Sequence, residues 1–343
     1  MRQRRAALAV AAALLFGAGG GARADRSFDV AMVTQPLDGY GMAMIDRAQT
    51  PQRFELGLSA AIGWAQSPLR VTLADPLMGN TPQPYNLIEQ QVTADLGVSF
   101  GLADFLSIAA LVPLAYNVYE TNALGMPNVY VPLGAQNPTG FPSASGLYLG
   151  QPRQTLPLQT TGPRDAHLGA KARFYAGKWA EAGMILEATL PLGGNTAFLG
   201  DQGVTFRPRL LGGVVLKRIN LALSVGSIVR PTSTLTDPRR PAPSGGEVVL
   251  EVGHELTFGG GLGARLHRVV SLSFEAQGTV PLVGDAAQAS VSLLGSLMLH
   301  PTERLKLVLA GGGSPLSDVA RAAPVRVMAG VAFSPSPRIG GLW

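Results

Sequence analysis

Few residues in this chain of 343 are equipped for chemistry, and their placement says what kind. Cysteine is absent and only four histidines occur, so disulfides and thiolate metal sites are excluded. His254-Glu255 begins an HExxH pattern, but no second histidine completes it, and no GxSxG is present. The glycines at 259–263 lack the third position of GxGxxG and fall in strand-like sequence. The charged residues form the one notable constellation. Lys171, Arg173, Arg207 and Arg209 recur two apart in two alternating segments, with Glu187 in the segment between. Residues two apart share one face of a strand, so these five form a candidate selectivity strip. Such a strip either attracts anions along a channel or closes an interior with cross-strand ion pairs. No catalytic, cofactor-binding or metal-binding residue is assigned, and the chain reads as not an enzyme.

Strands must position that strip. Segment 53–64 sets Phe54, Leu56, Leu58, Ala60, Ile62 and Trp64 against Arg53, Glu55, Gly57, Ser59, Ala61 and Gly63. Segments 91–100, 166–175, 271–280 and 325–333 repeat this division into an apolar face and a small or polar one. Less regular versions occupy 105–116, 181–191, 204–216, 220–230, 253–266, 287–299 and 304–312. Twelve strands are expected.

Alternation also suits a soluble sandwich. The connections decide against it. Links at 101–104, 177–180, 217–220, 267–269 and 300–303 are tight, and those between them are long. Pro68, Pro113, Pro191, Pro231, Pro281 and Pro315 fall where each odd strand is expected to meet its long link, where pairing stops. Aromatic residues gather toward the tight-turn end. The expected fold is all-β: an up-and-down antiparallel transmembrane β-barrel.

The N-terminus carries Arg2, Arg4 and Arg5, then an Ala/Gly-rich apolar run over 6–21 and Ala22-Arg23-Ala24. This reads as a secretory signal cut after Ala24. The formal charge of +5 reflects 27 basic against 22 acidic residues. Removing Arg2, Arg4, Arg5 and Arg23 leaves 23 against 22, so nucleic acid is not an expected partner. The boundaries expected are a signal peptide over 1–24, an N-terminal periplasmic or lumenal segment over 25–51, the barrel over 52–334 and a short tail over 335–343. Two stretches are long enough to enter a lumen: 25–51, and the Gly/Pro/Asn/Tyr-containing link 117–165.

Segments 165–175 (DAHLGAKARFY) and 190–210 (LPLGGNTAFLGDQGVTFRPRL) resemble the N-terminal barrel half of OmpA-family proteins of deltaproteobacteria. The resemblance spans about residues 28–334. It implies an outer-membrane barrel, here followed only by SPSPRIGGLW after Phe333, so peptidoglycan binding is not carried over.

The function expected is an outer-membrane, porin-like narrow channel or a structural membrane protein. The alternatives are an exported soluble β-rich adhesin or binding module, and a barrel-type lipase using His167 or His254. The partners expected are outer-membrane lipid, lipopolysaccharide, the barrel-assembly machinery and small anionic solutes; no cofactor is expected.

Overall fold

The computed structural model describes residues 24–25, 35–75, 81–119, 159–193, 198–201, 203–236, 248–284, 288–316 and 321–334. The segment 1–24 expected as a signal peptide (apart from Ala24), the expected tail 335–343 and most of the link 117–165 lie outside these residues.

Twelve antiparallel strands form the barrel. They are β1 (Leu56–Asp75), β2 (Thr81–Ala103), β3 (Leu106–Tyr119), β4 (Ala166–Ala176), β5 (Ala180–Leu190) and β6 (Thr205–Leu216). The second half is β7 (Ile219–Ile228), β8 (Glu255–His267), β9 (Val270–Pro281), β10 (Ser290–Leu299), β11 (Leu305–Gly313) and β12 (Val325–Phe333). Each strand pairs with the next, and β12 returns to β1 through Val325↔Gln66 to Phe333↔Leu58. Closure leaves no unpaired edge, which a hydrocarbon environment demands.

The burial is inverted relative to a soluble barrel. Outward Leu56, Leu58, Ile62, Leu96, Leu223, Leu262, Phe274 and Leu309 are exposed. Their inward neighbours are buried, charged residues such as Asp95, Lys171, Glu275 and Lys306 included. On β2 the contrast falls between consecutive residues: Leu96 is 58% exposed and Asp95 7%. Strand alternation produces this directly, and it matches a barrel that faces lipid outside and polar groups inside. A soluble adhesin would turn its apolar face inward. The exposed belt therefore overturns that alternative.

The short turns lie at 104–105, 177–179, 217–218, 268–269 and 300–304, all at one rim. The opposite rim differs from expectation in two places. Pro68 does not end its strand. Ser67 at φ 44° and two register shifts make a bulge, after which pairing resumes to Asp75↔Thr81. Pro113 also sits within a strand, opposite Asp95. On its other side the β3–β4 pairing stops at Leu111↔His167, and the short strand Gln159–Pro163 continues beside Leu114–Val118. The Pro113 carbonyl accepts from Arg164 N–H at 2.8 Å, so only its missing donor goes unpaired.

Between β7 and β8 the chain adds a small sheet. Ser233–Thr236 pairs with Val248–Val252, and Ala24–Asp25 runs parallel to Ser233–Thr234.

Candidate functional site in the barrel lumen

Residues 35–50 contain neither helix nor strand, and almost all of their side chains are buried. They run inside the barrel. Met42, Ala43, Met44 and Ile45 pack against Ala222, Leu294, Met298, Val308 and Ala310 from the inner wall, forming an apolar contact in the lumen. Leu37 and Ala48 form a second with Ile185 and Leu211. The glycines of this face make room. A Cβ on Gly169 would lie 2.7 Å from Leu37, and one on Gly259 would lie 2.7 Å from Ile45.

An irregular segment must satisfy its own backbone polar groups, because no ladder does so. Here the wall satisfies them. The Glu275 carboxylate, fully buried on β9, accepts three successive N–H groups: Ala43 at 2.9 Å, Met44 at 2.7 Å and Ile45 at 3.0 Å. Met42 N–H donates to Ile45 C=O at 2.9 Å and closes the turn. The remaining Glu275 valence takes Ser273 Oγ at 2.6 Å. Three amides converging on one carboxylate make an anion nest whose occupant comes from the barrel itself. From β11, Lys306 Nζ donates to Gly41 C=O at 2.7 Å.

The same segment meets the strip. Lys171 on β4 lies 2.7 Å from Asp38 Oδ2 and 3.7 Å from Asp46 Oδ1. Arg209 on β6 holds Asp46 Oδ2 at 2.8 Å through Nη1 and Glu187 Oε2 at 2.7 Å through Nη2. Glu187 Oε1 is 2.7 Å from His167 Nδ1. Arg47 Nε reaches Glu181 Oε1 at 2.8 Å, again segment to wall. Breaking a buried pair by removing one partner costs about 3–5 kcal/mol, so each pair locks the segment in register.

The structure thus brings Lys171, Glu187 and Arg209 together. Arg207 shares their face and pairs in register with Glu187, but makes no hydrogen bond or salt bridge among the described residues. Arg173 stands apart. It lies two residues farther along β4 than Lys171, in regular register opposite Gly183, which places it at the short-turn rim, where its Nη2 donates to Asp104 C=O at 2.7 Å. Arg53, assigned to the inner face by alternation, precedes β1. It is exposed at the same rim, 4.5 Å above the Phe54 ring. Asp38, Asp46 and Arg47 carry the contacts that sequence patterning did not single out. The signal available was two aspartates eight residues apart in an otherwise apolar, Gly-containing stretch.

The opposite rim has its own buried cluster. Arg230 donates to Glu255 at 2.6 Å, to Asp201 at 3.2 Å and to Gly253 C=O at 3.0 Å, and Glu255 also pairs with Arg321. Asp165 accepts from Gly193 N–H and Asp201 N–H. These contacts tie together links that follow β5, β7 and β11. His254, considered for a lipase, accepts Arg230 N–H at 3.3 Å through Nδ1. His167 Nδ1 is held by Glu187, and its Nε2 has no hydrogen-bond partner among the described residues.

No family model and no curated protein matches this chain. Among solved structures, it is similar to the COG4313 outer membrane channel from Pseudomonas putida F1. The TM-score is 0.52 at 12% identity, over 83% of this chain and 97% of that one. The NanC and KdgM porins give TM-scores of 0.43 and 0.41 at 8% and 10% identity, over 80% of this chain and 98% and 99% of theirs. The likeness to the first of these, at 12% identity, is one of fold: a closed barrel of the outer-membrane type.

Proposed function

We propose that the protein is an outer-membrane barrel forming a narrow channel, closed at rest by its own segment 35–50. The observation that carries this reading is the occupation of the lumen by that segment, held to wall side chains by hydrogen bonds and ion pairs. Twelve strands enclose more space than eight, which side chains alone fill, and less than the sixteen of open porins. A removable filler suits that intermediate size.

Supporting the capacity of this closed state to open are buried wall atoms without hydrogen-bond partners among the described residues: His167 Nε2, Thr189 Oγ1, and Nε of Arg207 and Arg209. An unsatisfied buried polar atom costs about 1–3 kcal/mol. Water entering an opened lumen would satisfy these atoms and offset the loss of segment contacts.

The signal over 1–24 would deliver the chain to the periplasm, and the assembly machinery would insert it among phospholipid and lipopolysaccharide. The long links would face outward and the short turns inward. Kinship with the barrel half of OmpA-family proteins rests on 165–175 and 190–210 and belongs to this proposal, as does the absence of enzymatic activity.

Emptied of the segment, Lys171, Arg207 and Arg209 outnumber Glu187, and a low-dielectric wall focuses their field on anions. The test is single-channel recording on the full chain and on Asp38→Asn with Asp46→Asn. The wild type should be closed most of the time. The variant should pass a steady, anion-preferring current, strongest in selectivity at low salt. Equal steady current from both would overturn closure by the segment.

A second reading, a purely structural membrane protein, is favoured by the Arg230–Glu255–Arg321 cluster at the other rim. A silent Asp38→Asn/Asp46→Asn variant that folds would establish it instead.

A further inference from the structure

We infer that Lys171 and Arg209 form a binding site for a solute dicarboxylate, and that Asp38 and Asp46 occupy it in its place. The inference rests on the channel reading above and names the solute class for that channel.

The first argument is charge. Around the strip the inner wall presents Lys171, Arg207 and Arg209 against Glu187, a local surplus of two positive charges, while Glu181, six residues back along β5, is met separately by Arg47 of the segment. Asp38 and Asp46 supply two negative charges and cancel it. A competitor therefore matches the site best as a dianion. A single carboxylate would leave half the surplus uncompensated.

The second argument is geometry. The Lys171 ammonium is shared between two carboxylates, at 2.7 Å and 3.7 Å, and the farther carboxylate continues to Arg209 at 2.8 Å. Two acid groups a few ångströms apart, bridged by one ammonium and ended by one guanidinium, match the two ends of a short-chain dicarboxylate. Glu187 takes the other side of the Arg209 fork at 2.7 Å and is itself held by His167. The guanidinium edge facing Asp46 is thus preset by the wall and does not depend on the segment. An arginine pre-oriented in this way is suited to carboxylate recognition.

The third argument is how the two aspartates are carried. They lie on backbone with no strand or helix, held against the wall by noncovalent contacts and tethered to it through 51–55, which lead into β1. A ligand that binds only the vacated site shifts the equilibrium toward the vacated state by its differential affinity.

The experiment uses the full-length protein in planar bilayers, with succinate as the probe at constant ionic strength and chloride as the control anion. Succinate should raise the wild-type open fraction saturably, by a factor within the roughly 5–150-fold of ordinary coupling. The Asp38→Asn/Asp46→Asn variant should be open without succinate. Lys171→Gln with Arg209→Gln, confirmed as folded by its heat-modifiable band, should lose the response. If succinate changes nothing while the aspartate variant conducts, this inference falls and the channel reading stands. If the aspartate variant is silent, the channel reading itself falls. An undiminished response in Lys171→Gln/Arg209→Gln would place succinate elsewhere and overturn the site.

Discussion

Asp46, carried on an irregular N-terminal segment, holds its carboxylate 2.8 Å from Nη1 of Arg209, a wall residue 163 positions away in the chain. Arg209 also holds Glu187, so one guanidinium joins segment to wall and β5 to β6. Arg209→Ala leaves two buried carboxylates without their shared partner. We predict a loss of about 3–5 kcal/mol, the range for a broken buried pair, read as a lower denaturant midpoint. Asp46→Asn added to Arg209→Ala should recover part of that loss. No recovery would mean that the two residues are not coupled.

Leu96→Arg should cripple assembly. Leu96 points outward from the middle of β2, where a lipid-facing arginine costs about 2–4 kcal/mol. Asp95→Asn, its inward neighbour, should fold. Equal folded bands in heat-modifiability gels would show the facing to be reversed.

Glu275→Ala removes the acceptor of three consecutive amides. At about 1–3 kcal/mol for each amide left unsatisfied, the segment should be released while the barrel wall remains. Limited proteolysis should then cut within 35–50 in the variant at protease levels that leave the wild type intact. Identical digestion of both would contradict the nest as the anchor.

The absence of native cysteine allows a clean covalent test. A Cβ built on Gly39 lies 3.1 Å from the Ala332 Cβ on β12, close to disulfide reach. Gly39→Cys with Ala332→Cys should, when oxidised, abolish openings even in the Asp38→Asn/Asp46→Asn background. Reduction should restore them. Current that persists through the oxidised lock would show that conduction does not require the segment to leave.

Protease added to intact cells should cut in 117–165 before any short turn. That order follows from long links facing outward. Cleavage at 177–179 or 217–218 in intact cells would invert the topology.

The barrel was legible in the sequence because a strand has period two and a membrane barrel is apolar outside. Leu96 beside Asp95, repeated over twelve segments, states facing, strand number and rim order together. Local rules failed where backbone pairing, not residue type, decides where a strand ends. Pro113 stays in its strand because its carbonyl is satisfied by Arg164 N–H and only the N–H it lacks is missing from the ladder. Pro68 is absorbed by a bulge at Ser67. Counting in twos places Arg173 with Lys171, but its position two residues farther along β4 puts it at the rim, where it meets Asp104 instead.

The strip was legible as a set of charges, and its partners were not. Alternation places Lys171, Glu187 and Arg209 on one inner face, and that much follows from sequence. Asp38, Asp46 and Arg47 lie in a stretch with no period, so nothing local says which way they point. Only closure of the barrel creates a low-dielectric interior in which unpaired wall cations are costly. That cost favours a segment that carries acids and free amides, as 35–50 does. The sequence by itself determined the wall. The tertiary structure decided what fills it.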